Sequence, residues 1–86
     1  MVHVVESWDD LENYAEWCRY GIYQETETVN GGKEVRVIVG KFGYIGKFDD
    51  EKDETYQRII RFCKAKGLIR IRETIPEDLF FAKMEV

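Results

Sequence analysis

Apolar residues in this chain recur every three or four positions in two stretches and every second position between them. That change of period directs the chain toward a layered α+β fold. The first helical stripe is Trp8, Leu11, Ala15, Cys18 and Ile22. Ser7 stands where an N-cap belongs, Asp9 and Asp10 complement the positive end of the helix dipole, and Asp10 completes a shortened capping box. Gly21 is expected to close this helix. The second stripe is Tyr56, Ile59, Ile60 and Cys63, in a helix expected to begin near Asp49 or Asp50. Asp53 and Glu54 lie in its early turns, Lys64 and Lys66 in its last, and Gly67 ends it.

The remaining segments alternate. Val2 to Val5 predicts a short strand, and Ile22 to Val29, Asn30-Gly31-Gly32-Lys33 and Glu34 to Val39 predict a β-hairpin with a glycine turn. Leu68 to Ile75 predicts a strand, Pro76-Glu77-Asp78 a turn, and Leu79 to Val86 a final strand. The order is that of a ferredoxin-like βαββαβ sandwich with an extra C-terminal strand. Its antiparallel sheet would run 4-1-3-2, with two antiparallel helices on one face and the other face open. Lys66-Gly67-Leu68-Ile69, followed by strand, turn and strand, also resembles the recognition helix and wing of a winged helix-turn-helix protein. Residues 22–48 are β-patterned where that fold needs helices.

At 86 residues the chain has room for one domain. It holds no apolar run of the roughly 18 residues a membrane span needs, and its N-terminus lacks the pattern of a signal peptide. The expectation is a cytoplasmic protein without a membrane partner. Asn, Gln, Ser and Thr together number 9 of 86 while charged residues reach 35%, a balance that suits a thermophilic, archaeal source. The fragile Asn30-Gly31 pair and the single proline point the other way.

A net charge of −4 conceals segregation: residues 1–32 carry seven acids and one base, residues 55–72 six bases and no acid. In the expected strand order, Arg70 and Arg72, then His3 and Val5, then Arg36 and Ile38 would share the open face, because Val2, Val4, Val35, Val37, Val39, Ile69 and Ile71 would face the helices. The adjoining stretch 40–48, expected to form an aromatic-basic loop from Lys41 to Phe48, interleaves Phe42, Tyr44 and Phe48 with Lys41 and Lys47, and its glycines permit close approach. Phe42-Gly43-Tyr44-Ile45 resembles the aromatic core of the RNA-recognition-motif signature. The preceding Gly40-Lys41 reverses that signature's order, its closing aromatic comes one position late at Phe48, and His3 stands where the first strand usually offers an aromatic. The likeness covers four residues and does not establish membership. The basic sheet face and the aromatic stretch beside it make a candidate single-stranded nucleic-acid site of His3, Arg36, Lys41, Phe42, Tyr44, Lys47, Arg70 and Arg72. Against it stand a sequence pI near 5.0 and a plainer account. Glu25 or Glu27 would neutralise Arg36 across the hairpin, Glu85 would meet Arg70 and Arg72, and the aromatics would close one end of the core.

Catalytic groups are scarce. Ser7, the only serine, is explained as a cap, and His3 has no second histidine. Asp49 to Glu54 lacks the glycine and distal glutamate of a calcium loop. Cys18 and Cys63 would lie at opposite ends of the helix layer, too far apart for a disulfide. No catalytic residue, metal or cofactor is expected. The C-terminal strand carries Phe80, Ala82, Met84 and Val86 on one side and Leu79 and Phe81 on the other, apolar on both. It would either fold over the open sheet face or pair across a two-fold axis, with Leu79, Phe80, Phe81 and Met84 as the interface. The acidic first helix would then face outward. The expected function is a small non-enzymatic module for protein interaction or assembly, with a homodimer or another protein as partner. Single-stranded nucleic acid is the second candidate.

Overall fold

Three consecutive strands form the centre of the molecule, because residues 42–48 of the expected loop are a strand and Gly40-Lys41 is the turn that leads into it. The computed structural model describes residues 2–76 and Phe80. In chain order the elements are β1 (His3–Val4), α1 (Trp8–Ala15), β2 (Gly21–Glu27), β3 (Lys33–Val39), β4 (Phe42–Phe48), α2 (Glu54–Lys66) and β5 (Ile69–Arg70). The fold is mixed α+β, with two helices and a five-stranded sheet.

The sheet order is β1-β4-β3-β2-β5, which replaces the expected 4-1-3-2. Strands β2, β3 and β4 form an antiparallel meander, with Val37 between Tyr23 and Tyr44. β1 adds parallel to β4 at one edge, and β5 adds parallel to β2 at the other. The extra strand is the cause of the change. It reverses the direction in which the chain enters α2, so α1 and α2 both descend across the same face and run parallel to each other. Arg58, near the start of α2, pairs with Asp9 and Glu12 near the start of α1. Lys66, at the end of α2, donates to the carbonyl oxygens of Glu16 and Cys18. The antiparallel helix pair is therefore corrected, and with it the reason given for keeping the two cysteines apart; both are free thiols.

The caps act as local chemistry dictates. Ser7 Oγ accepts from the Asp10 amide. Asp53, later than the expected Asp49 or Asp50, accepts from the amides of Thr55 and Tyr56. Gly67 ends α2 in the left-handed conformation at φ 73°. α1 ends at Ala15, well before Gly21, which instead opens β2. It has no basic residue in its last turn, and Lys66 supplies one from the neighbouring helix.

The main core lies between helices and sheet. Leu11, Ala15, Ile59 and Cys63 bury against Val35, Val37 and Val39, as the stripes require. The aromatics of β4 face the same way: Tyr44 meets Trp8 edge-on at 5.5 Å, Phe42 stacks on Tyr14 at 4.2 Å, and Phe48 tilts against Tyr56 at 5.8 Å. Tyr56 donates its hydroxyl hydrogen to Glu25.

A second, smaller core covers the face expected to be open. Val2, Ile75 and Phe80 are buried there, with Ile22, Ile38, Ile45 and Ile71 packed around them. The backbone of Ile75 is held on both sides: its N–H donates to Gln24 Oε1, and its carbonyl accepts from Arg36, each at 2.7 Å. Phe80 lies over Gly43 so closely that a Cβ there would come within 2.9 Å of its ring. Gly43 thus marks a close approach inside a strand.

Two strand parities also change. His3 pairs with Phe42 and therefore lies on the helix side, while Val2 belongs to the second core. Arg70 pairs with Tyr23, which puts it on the helix side and leaves Ile69 and Ile71 on the other. Both strands are only two residues long, too short for alternation to assign a face. Val35, Val37 and Val39 face the helices, with Arg36 and Ile38 behind them, as the pattern predicts.

Candidate interaction surface

The eight residues expected to bind nucleic acid do not converge. His3 lies at one edge of the sheet, 5.9 Å from the ring of Phe42. Arg70 lies at the opposite edge, on the other face from Arg36. Arg36 is buried beneath the Ile75 segment. Its Nε donates to Glu34 at 2.8 Å, and its register partner is Gln24, not Glu25 or Glu27. Phe42 and Tyr44 belong to the core. Lys41 is exposed on the β3–β4 turn, and Lys47 is exposed 3.8 Å from Glu34. Arg70 reaches Glu25 at 3.9 Å, and with Arg72 and Ile71 these two line a shallow depression. Of the four residues expected at an interface, Phe80 is buried within its own chain. Leu79, Phe81 and Met84 lie outside the described residues, as does Glu85.

The shifted thiol and tyrosines belong to the core, and the shift of the exposed Arg58, upward, follows from its hydrogen bond and ion pair with Glu12. Burial pushes the Cys63 thiol up to about 12 and raises Tyr23 and Tyr44. Burial, followed by the hydrogen bond to Glu25, raises Tyr56 as well. Among the described residues, no group of three or more histidine, cysteine or acidic side chains is placed to hold a metal ion. Among the described residues, no helix is long and apolar enough to cross a membrane.

The structure exposes a different surface. Because α1 and α2 are parallel, their C-termini share one end of the molecule with the starts of β2 and β5 and the β3–β4 turn. Tyr20 O accepts from the Gly40 amide there, and Leu68 N donates to Cys63 O. The segment that follows α1 holds Trp17 and Tyr20 out into solvent, each 86% exposed, with Arg19 between them. Tyr20 lines a groove of about 600 Å³ together with Ile22, Ile38, Ile69, Gly40 and Gly67. Ile69 is 66% exposed. Lys41, Lys64 and Lys66 surround this end.

Sequence reasoning missed Trp17 and Tyr20. The available signal was their position off the stripe Trp8, Leu11, Ala15 and Cys18, where two large aromatics have no core to enter. The opposite end of the molecule collects both helix N-termini, with Glu6, Asp9 and Asp10 on one side and Asp50, Glu51, Asp53 and Glu54 on the other, all exposed. No known protein family, curated protein or solved structure matches the chain.

Proposed function

We propose that this chain is a non-enzymatic module for protein interaction or assembly, and that the end bearing Trp17 and Tyr20 is its contact surface. The observation that carries this reading is the near-complete exposure of two large aromatics, Trp17 and Tyr20, the second of which lines an apolar groove. Exposed apolar patches rimmed by charge mark interaction sites, and Trp, Tyr and Arg dominate binding hot spots. Aromatic side chains bury roughly 150–250 Å² each. Covering both would contribute on the order of 8 kcal/mol before the cost of association.

The test compares wild-type chain with Trp17→Ala/Tyr20→Ala in sedimentation velocity and in cross-linking followed by identification of bound proteins. Loss of assembly or of a specific bound protein supports the reading. Unchanged sedimentation together with an unchanged set of cross-linked proteins overturns it. A second reading rests on Arg19 between the two exposed aromatics, a combination that stacks on unpaired bases. Fluorescence anisotropy with labelled single-stranded RNA at two salt concentrations tests it. Micromolar binding that weakens steeply with salt and disappears in the double variant would favour nucleic acid over protein.

A further inference from the structure

The segment that seals the second core is gripped by side chains that read its backbone. Pro76 restricts the residue before it to extended backbone, and an extended residue turns its N–H and C=O to the same side. Ile75 presents both groups to the sheet, where Gln24 and Arg36, register partners on β2 and β3, take one each at 2.7 Å. Phe80 then fills the space over Gly43. The tie between this strap and the rest of the chain is slight. The Ile71 N–H donates to the Tyr23 carbonyl. Arg72, Glu73 and Thr74 follow, all exposed, with no hydrogen bond or ion pair among the described residues. We infer that the strap is an exchangeable element: the Gln24–Arg36 clamp and the seat over Gly43 take the strap of a second copy of this chain, and each copy gives its own in return.

The fit between strap and bed is the one observed within the chain. Exchange therefore keeps both clamp bonds and the Phe80 contact, and alters only the path of residues 72–74. An opened strap would leave Gln24, 4% exposed, without its donor. Unpaired buried polar groups are costly, so the bed recaptures whichever strap reaches it first. Reciprocal exchange is isologous and closes at two chains. The short tether holds each strap over its own bed at an effective concentration in roughly the millimolar range, so wild type exchanges only when crowded to that level. Neither Trp17 nor Tyr20 belongs to the second core, which makes this contact separate from the aromatic end.

The test uses whole chains in a complementary pair. Gly43→Val blocks the bed, because a Cβ there would come within 2.9 Å of the Phe80 ring, and it leaves the strap intact. Ile75→Asp/Phe80→Asp spoils the strap and leaves the bed open. Each chain alone should sediment as a monomer. An equimolar mixture should give a one-to-one complex, since one sound strap meets one sound bed. Gln24→Met in the open-bed chain should weaken that complex about tenfold, because it removes the acceptor of the Ile75 N–H. Trp17→Ala/Tyr20→Ala in both chains should leave it unchanged. A mixture that stays monomeric, a complex indifferent to Gln24→Met, or one lost with the aromatics would each overturn the exchange. If circular dichroism finds either chain unfolded, wild type decides. Refolded from urea at roughly millimolar concentration, it should yield a dimer that separates only slowly after dilution, and recovery of monomer alone overturns the exchange.

Discussion

Ile75 and Phe80 cover the sheet face behind Arg36, and deleting their side chains measures how firmly that cover is held. Ile75 is 2% exposed and Phe80 4%. Ile75→Ala removes about three methylene equivalents at roughly 0.8 kcal/mol each, and any unfilled cavity adds to that. The expected loss is about 3 kcal/mol, and Phe80→Ala should cost a similar amount, ~3 kcal/mol. The two residues belong to one segment, tied down through Ile75 by Gln24 and Arg36. Once one deletion has loosened that segment, the second has less to lose. The double variant should therefore fall short of the sum by ~1 kcal/mol. Urea unfolding gives the three stabilities. Binding of a hydrophobic dye reports exposure of Ile22, Ile38 and Ile45 beneath. An Ile75→Ala cost below about 1 kcal/mol without dye binding would show that the face is not sealed by this contact.

Three further predictions concern caps and thiols. Asp53→Ala should destabilise by about 1–2 kcal/mol, because it frees two amides at the start of α2, and Ser7→Ala by about 1 kcal/mol or less; thermal or urea unfolding verifies both. In the folded chain one thiol, Cys18, should react with a disulfide reagent, while Cys63 reacts only on unfolding, since Cys63 is fully buried and Cys18 half-buried. The same burial holds Cys63 neutral to about 12 against an ordinary 9.0. Its contribution to stability is thus complete below pH 9 and is lost as pH climbs from 9 toward 12. Urea midpoints at pH 8 and 10.5 should fall more for wild type than for Cys63→Ala. Equal falls would refute the assignment.

Much of the local structure was legible in the sequence. Ser7, Gly67 and the two apolar stripes placed the helices because capping and helical periodicity act within a few residues. The run Val35, Val37, Val39 assigned the faces of β3 because seven residues supply three full alternations. β4 was not legible as a strand. Gly40, Gly43 and Gly46 read as loop, yet Gly43 is the space Phe80 occupies, a partner 37 positions away. Missing that strand inverted the relation between the helices and the order of the sheet, while the two-residue strands β1 and β5 left the faces of His3 and Arg70 beyond the reach of alternation.

The sequence alone determined an α+β chain with two capped helices, a glycine-turned hairpin and charges grouped in blocks. Each of these depends on residues close together along the backbone. Only the tertiary structure decided that the helices run parallel, that Arg36 is spent on Ile75 and Glu34, and that Trp17, Tyr20 and Val29 are left exposed. Those outcomes depend on strand order and on which distant segment reaches a face first. Local propensity carries no information about either, because a one-residue change of register or one added strand sends the same side chains to opposite sides of the sheet.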